Sequence, residues 1–213
     1  MDIGSAVKFP TEDEKWIAKV VIGGILSIIP IVNLLVTGFY LKTMEKAIKG
    51  SPGMPEWEGW GELFVKGLLA TIICFIYLLI PLIVVTVAVV MVGGLASTVT
   101  ADTFPNIFAM FSAIIIGGIL AIIFGFFIPM ALAMYVASGS VGNAFKPGEL
   151  ISRIKSVLGD YILAYVVIFV LMVVLSLISA IPLLGWIIAI FGGFYIGVVA
   201  MNIFGNLYVA SNA

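Results

Sequence analysis

Four runs of this chain are apolar on all sides and long enough to cross a lipid bilayer: Leu63 to Leu95, Ile107 to Val136, Tyr161 to Ile181 and Leu183 to Val209. Lys66 is the single charged residue among them. A hydrocarbon core of about 30 Å takes about 20 helical residues. In lipid every backbone N–H and C=O has to be paired within its own segment, which selects helices. A barrel strand would alternate apolar with polar residues, and these runs do not. The rest of the chain agrees, with 63% hydrophobic residues, 10% charged residues and a mean hydropathy of +1.29, more apolar surface than a water-soluble domain can bury. The expectation is an all-α integral membrane protein forming one polytopic domain over residues 1–213.

The stretch Trp16 to Tyr40 has the length of one span but is interrupted by Ile29-Pro30-Ile31-Val32-Asn33. Proline removes a donor and clashes with the preceding turn, so the helix either kinks or turns there. The segment IPIVNLLVTGFY at Ile29 to Tyr40 is similar to IPLLGWIIAIFGGFY at Ile181 to Tyr195, where Pro182 is expected to turn the chain between the last two spans. By analogy Pro30 to Asn33 turns a short hairpin, giving three hairpins and about six membrane segments, the first pair short or re-entrant. A proline-acid-base entry before each hairpin, at Pro10, Pro55 and Pro147, and a tyrosine after it, at Tyr40, Tyr135 and Tyr208, suggest an internal repeat.

Charge placement tests this topology, because cytoplasmic loops beside membrane segments collect Lys and Arg. Three hairpins put all ten Lys and Arg on one side and leave Asp102 on the other, whereas a single first span would export Lys8, Lys15 and Lys19. Both termini are therefore expected in the cytoplasm. The first ten residues lack the apolar region of a signal peptide, so the N-terminus is expected to be kept.

The segment Met54 to Phe64 holds Trp57, Trp60 and Phe64, which with Leu68 follow i, i+3, i+7, i+11 spacing, while Glu58, Glu62 and Lys66 step along another face. This predicts a helix lying at the headgroup level, with Trp57, Trp60 and Phe64 as interfacial anchors. A sharper alternative gives Glu56, Glu58 and Glu62 a partner or a cationic ligand. From Pro147 to Tyr161 a second amphipathic segment carries an apolar stripe of Leu150, Ile151, Ile154, Val157, Leu158 and Tyr161, with Arg153 and Lys155 off it as further interfacial anchors. Gly117, Ala121 and Gly125, then Gly193 and Gly197, recur at four-residue spacing and are expected to let helices pack closely. Pro81 and Pro129 interrupt long spans and are expected to kink them.

No charged side chain other than Lys66 falls inside a long span, the chain has no histidine, and Cys74 is its single cysteine. No nucleophile, base and orienting acid can be assembled from the mild polar set that remains, nor a metal-ligand cluster, so no enzymatic activity, cofactor or metal is expected. With 10 Lys plus Arg against 11 Asp plus Glu, nucleic acid is not an expected partner.

The run Phe9-Pro10, Glu12-Asp13-Glu14-Lys15-Trp16, Gly23-Gly24, Ile29 to Asn33, Gly38-Phe39-Tyr40 and Pro55 to Gly67 resembles the archaeal membrane family called domain of unknown function 4013. The resemblance is dense over about the first eighty residues, through Ile76-Tyr77 and Pro81. It implies an archaeal cell-membrane protein and supplies no activity and no catalytic residues. The expected role is a non-enzymatic membrane scaffold or accessory subunit whose partners are lipids, a second copy or another membrane protein. The rival is a passive permease or channel for a small or lipid-like solute, using Asn33, Asn202 and Asn206 with the proline breaks.

Overall fold

The computed structural model describes residues 3–99, 103–182 and 184–211, so the expected placement of Asp102 lies outside it. The described residues form eight helices: α1 (Ile3–Lys8), α2 (Trp16–Ile28), α3 (Asn33–Ile48), α4 (Trp60–Val99), α5 (Thr103–Ser138), α6 (Pro147–Ser156), α7 (Leu158–Ser179) and α8 (Leu184–Ala210), with 3-10 turns at Phe9–Glu12 and Val141–Phe145. Among the described residues there is no strand. Among the described residues four helices are long and apolar enough to cross a membrane: Trp60–Met91 of α4, Phe111–Ser138 of α5, α7 and α8. The chain divides into two units, one of Met1–Thr71 with Pro129–Ala213, the other Ile72–Ile128.

In the first unit α8 packs against α2, α3 and α7. Helix α2 buries Lys19, Val20, Gly23 and Gly24, which helical periodicity places on one face. Gly23 and Gly24 admit the Phe194 and Phe191 rings of α8, where a Cβ would overlap them. The helix stops at Ile28, and residues 29–32 form the turn expected at Pro30, with Asn33 opening α3. Ile31 takes the left-handed conformation there, at φ 71°, a cost of about 1 to 2 kcal/mol for a residue with a Cβ. At 13 residues, α2 spans about 20 Å, short of a hydrocarbon core.

The two similar segments lie alongside each other. Tyr40 meets Gly197 and Met44 meets Gly205, so α3 and α8 run parallel, and Phe39 and Tyr40 each lie 5.5 Å from Phe194 between ring centroids. Helix α4 crosses α3 the other way. A Cβ on Gly38 would overlap the Leu63 backbone, and one on Gly67 would overlap the Leu34 carbonyl, so these helices touch backbone to backbone. Pro182 lies in the turn that ends α7 and begins α8, as expected, with the Gly185 N–H donating to the Ile181 carbonyl at 2.8 Å.

Two expectations for amphipathic helices change. No helix runs through Met54 to Gly59: Gly53 and Gly59 take positive φ, Pro55 has no N–H to donate, and α4 starts only at Trp60. Trp57 and Trp60 therefore do not share a helical face. The segment from Pro147 to Tyr161 is two helices that break at Val157. Its buried stripe is Leu150, Ile154, Val157 and Tyr161, while Ile151 and Leu158 face outward.

In the second unit α4 continues unbroken through Pro81, as α5 does through Pro129 at the edge of the first unit. Gly117 is filled by the Val85 side chain, whereas Gly118 and Gly125 have nothing within 4 Å of a Cβ.

Candidate functional site

The polar side chains of the first unit gather where α2 and α4 begin and α3 and α8 end. Lys19 sits in the first turn of α2, 3% exposed. Its Nζ lies 2.8 Å from the Asp13 carboxylate and 2.8 Å from that of Glu56, and donates to the Met54 carbonyl at 3.4 Å. Asp13 also accepts the N–H groups of Lys15 at 3.0 Å and Met54 at 3.1 Å. Lys46 donates to the Met54 carbonyl from α3. Residues 51–59 are thus fastened to α2 by the buried Lys19 ammonium and to α3 by the half-buried Lys46. Burial works to raise the Asp13 carboxyl, and the Lys19 hydrogen bond, the two backbone donors and the Lys19 charge outweigh it, holding the group below the ordinary 3.8.

The fastening continues through Trp57. Its Nε1 donates to the Lys19 carbonyl at 3.1 Å, and its ring stacks on Phe39 at 4.2 Å and on Trp60 at 5.9 Å between centroids. Beside it, Lys66 joins Glu45 of α3 to Glu62 of α4, and Lys42 lies 3.7 Å from Glu62. Arg153 of α6 holds Glu149 at 2.8 Å, reaches the Ser211 hydroxyl at 3.3 Å and lies 4.4 Å over the Tyr208 ring. These contacts join connecting segments to helix ends.

A cleft of about 510 Å³ opens at the same end, between the N-terminal turns, the end of α3, the start of α7 and the end of α8. Its polar lining comes from Ser5, Glu12, Ser51, Asp160, Asn202 and Asn206, and its apolar wall includes Phe9, Ile203 and Leu207. Asn202 is 7% exposed, and the Asn206 amide donates to its carbonyl at 3.0 Å and to its Oδ1 at 3.4 Å. A second hollow of about 490 Å³ lies in the other unit and is almost wholly apolar, with Phe75, Pro81, Val85 and Gly117 on its wall. Among the described residues no group of three His, Cys, Asp or Glu could hold a metal ion.

The residues singled out from sequence fall into several settings. Trp57 is half-buried against the core, Trp60 is 46% exposed and Phe64 is half-buried. Arg153 is occupied by partners within the chain, while Lys155 is exposed. Pro30 and Pro182 lie in turns, Asn33 is the first residue of α3 rather than part of the turn, and Pro81 and Pro129 lie inside helices. Gly117 and Gly197 sit at close approaches, Gly125 and Gly193 do not, and the tightest backbone approaches are at Gly38 and Gly67. Of the three asparagines expected in a solute path, Asn202 and Asn206 line the cleft and Asn33 does not. The Lys19 cluster was not anticipated. Its one signal in the sequence is a lysine within the apolar run of α2, four residues before Gly23 on the same face.

A family model described as a protein of unknown function (DUF4013) matches residues 22–184, most of the chain. No curated protein and no solved structure matches it.

Proposed function

This chain belongs to the DUF4013 family of proteins of unknown function, and from that membership and its four bilayer-length helices we propose that it is a non-enzymatic membrane scaffold or accessory subunit. In this reading it sits in the cell membrane, that of an archaeon as the sequence resemblance implies, as three hairpins of which α2–α3 is short. Both termini and the lysine-bearing end face the cytoplasm, and lipids or another membrane protein, including a second copy, cover its outer helix faces.

The observation that carries the reading is the contrast between the polar and apolar parts of the first unit. Many of its ionic groups pair with one another, with the Lys19, Lys66 and Arg153 clusters closing the connections between helices. Helix α7 meanwhile shows an outward apolar stripe of Ile162, Val166, Phe169, Val170, Val173 and Leu177, at the spacing of one helical face. Packing against lipid or a partner helix is the interaction such a face supports. The second reading, a passive permease, is favoured by the cleft that Asn202 and Asn206 line.

Photo-crosslinking in native membranes tests the proposal, with a crosslinking residue placed at Phe169 or Leu177 and a control at buried Tyr161. The scaffold reading expects protein adducts from the first two positions, identified by mass spectrometry, and none from the third. Lipid adducts alone at Phe169 and Leu177, together with solute flux through reconstituted vesicles, would replace it with the permease.

A further inference from the structure

We propose that the chain passes phospholipids between the two leaflets without an energy source, as a passive scramblase, at the flank of the first unit where α2 stands. The route is the bilayer beside α2, so the activity needs neither the cleft nor a partner on the outer face of α7. It rests on residence in the membrane and goes beyond the scaffold reading.

The unit carries apolar belts of unequal height. Helices α2 and α7 both pack against α8. A Cβ on Gly24 of α2 would meet the Phe191 ring, and one on Gly192 would meet the Leu175 side chain of α7, so Gly24 and Leu175 stand at nearly the same level along α8. Toward the turns the two helices match, because α2 ends at Ile28 and α7 at Ser179, each about 6 Å further on. Toward the lysine-bearing end they do not. Helix α2 starts at Trp16, about 12 Å from that level, and α7 starts at Leu158, about 26 Å from it. Outward apolar side chains run the length of both, from Ile17 to Ile28 on α2 and from Leu158 to Ile178 on α7. The α7 belt is therefore longer by about 14 Å, close to one leaflet of a core about 30 Å thick.

Polar groups take over where α2 stops. Lys8, Glu12, Glu14 and Lys15 are exposed, and Lys19 is paired with Asp13 and Glu56. The N-terminal turns stay on this flank, since the Tyr195 hydroxyl of α8 donates to the Val7 carbonyl at 2.7 Å and the Trp16 and Tyr195 rings lie 6.5 Å apart between centroids. A flat bilayer that covered the α7 belt would put these charges in hydrocarbon, which is expensive. Thinning beside α2 is the cheaper response to a belt that is too short. The leaflet at the lysine-bearing end is then drawn toward the midplane, and headgroups and water with it. A headgroup that crosses hydrocarbon has to give up its hydration, and a thinner core with water defects lowers that barrier. Lipids cross in either direction.

Two measurements on the full chain in phosphatidylcholine vesicles test this. Ile17 and Phe169 lie at similar levels along α8 and face outward, 62% and 68% exposed. In a Cys74→Ala background, nitroxides on Ile17→Cys and Phe169→Cys should differ, the first relaxed by a water-soluble nickel chelate and the second by oxygen alone. Equal accessibility of the two sites to either reagent overturns the thinning. For the activity, the vesicles carry a trace of nitrobenzoxadiazole-labelled phosphatidylcholine, and dithionite bleaches the outer leaflet. Bleaching should run past the outer-leaflet share with the chain present and stop there without it, and stopping there in both overturns the scramblase. Bleaching of an entrapped water-soluble fluorophore in step with the lipid would mean a leak to dithionite and overturns it too. Lys8→Leu/Glu12→Leu/Glu14→Leu/Lys15→Leu extends the α2 belt by about one turn at constant net charge and should slow crossing about tenfold. All four side chains are exposed, so the variant loses no buried contact. Lys155→Leu, exposed at the end of α6, should leave the rate unchanged. A quadruple variant as fast as the unaltered chain overturns the assignment to the α2 flank, and so does an equal slowing by Lys155→Leu.

Discussion

Replacing Gly38 by alanine puts one methyl group into the tightest helix crossing of the first unit. The added Cβ overlaps the carbonyl oxygen, carbonyl carbon and Cα of Leu63, all backbone atoms of α4, so no rotamer change can relieve it and the helices must separate. Overpacking of this kind costs about 1 to 3 kcal/mol, and alanine returns about 0.5 to 1 kcal/mol through its better helix propensity. Because the opposing atoms are backbone, the net loss should be about 2 kcal/mol, which for a chain of this size is about 4 to 8 °C in melting temperature. Gly67→Ala should behave alike, since its Cβ meets the Leu34 carbonyl and the Gly38 nitrogen. The double variant should lose less than the sum, because separation at one glycine relieves the other. Gly193→Ala is the control. Nothing lies within 4 Å of its Cβ, so only the propensity gain remains and the melting temperature should hold or rise slightly. Size-exclusion thermal ramps in detergent measure all four variants. A Gly38→Ala chain that melts with or above the unaltered protein would refute the backbone contact.

Lys19→Met should cost about 3 kcal/mol, because it leaves the partly buried Asp13 without its counterion, and should free residues 51–59. Glutamyl-endopeptidase cleavage after Glu56 and Glu58, slow in the unaltered chain, should become fast, and equal rates would show that the ammonium does not hold the loop. Acid should act on the same knot. Asp13 has a folded-state pKa held below its ordinary 3.8, so its contribution is fully present above that value and is lost as pH falls through the lower folded value. Melting curves of the unaltered chain and Asp13→Asn should therefore converge below about pH 3.8, and a gap that stays constant down the titration would contradict the ion pair.

What the sequence makes legible depends on how local the determining physics is. The four long helices follow from apolar runs that need no partner to be recognised, and the turns at Pro30 and Pro182 follow from a missing N–H at a fixed position. The irregular path of residues 53–59 overrides the helical spacing of Trp57 and Trp60 because glycines at 53 and 59 adopt positive φ, a choice set by docking onto Lys19 and Phe39. Asp13, Lys19 and Glu56 come together only once α2 and the loop are placed, and the cleft draws its lining from four separate stretches of chain. Glycine spacing likewise marked Gly125 and Gly193, which stand in the open, and passed over Gly38 and Gly67, because which glycine meets a backbone depends on the crossing rather than on the repeat.

The orientation of the charged end underlies the membrane reading as a whole. In a Cys74→Ala background, single cysteines at Lys8, Lys155 and Ile181 can be probed in intact cells with a membrane-impermeant maleimide. Three hairpins with a cytoplasmic lysine-bearing end predict labelling at position 181, in the turn between α7 and α8, and protection at positions 8 and 155 until the cells are opened. Labelling at both 8 and 181, with 155 protected, would place the N-terminus outside, make Trp16 to Tyr40 a single crossing and contradict the short first hairpin.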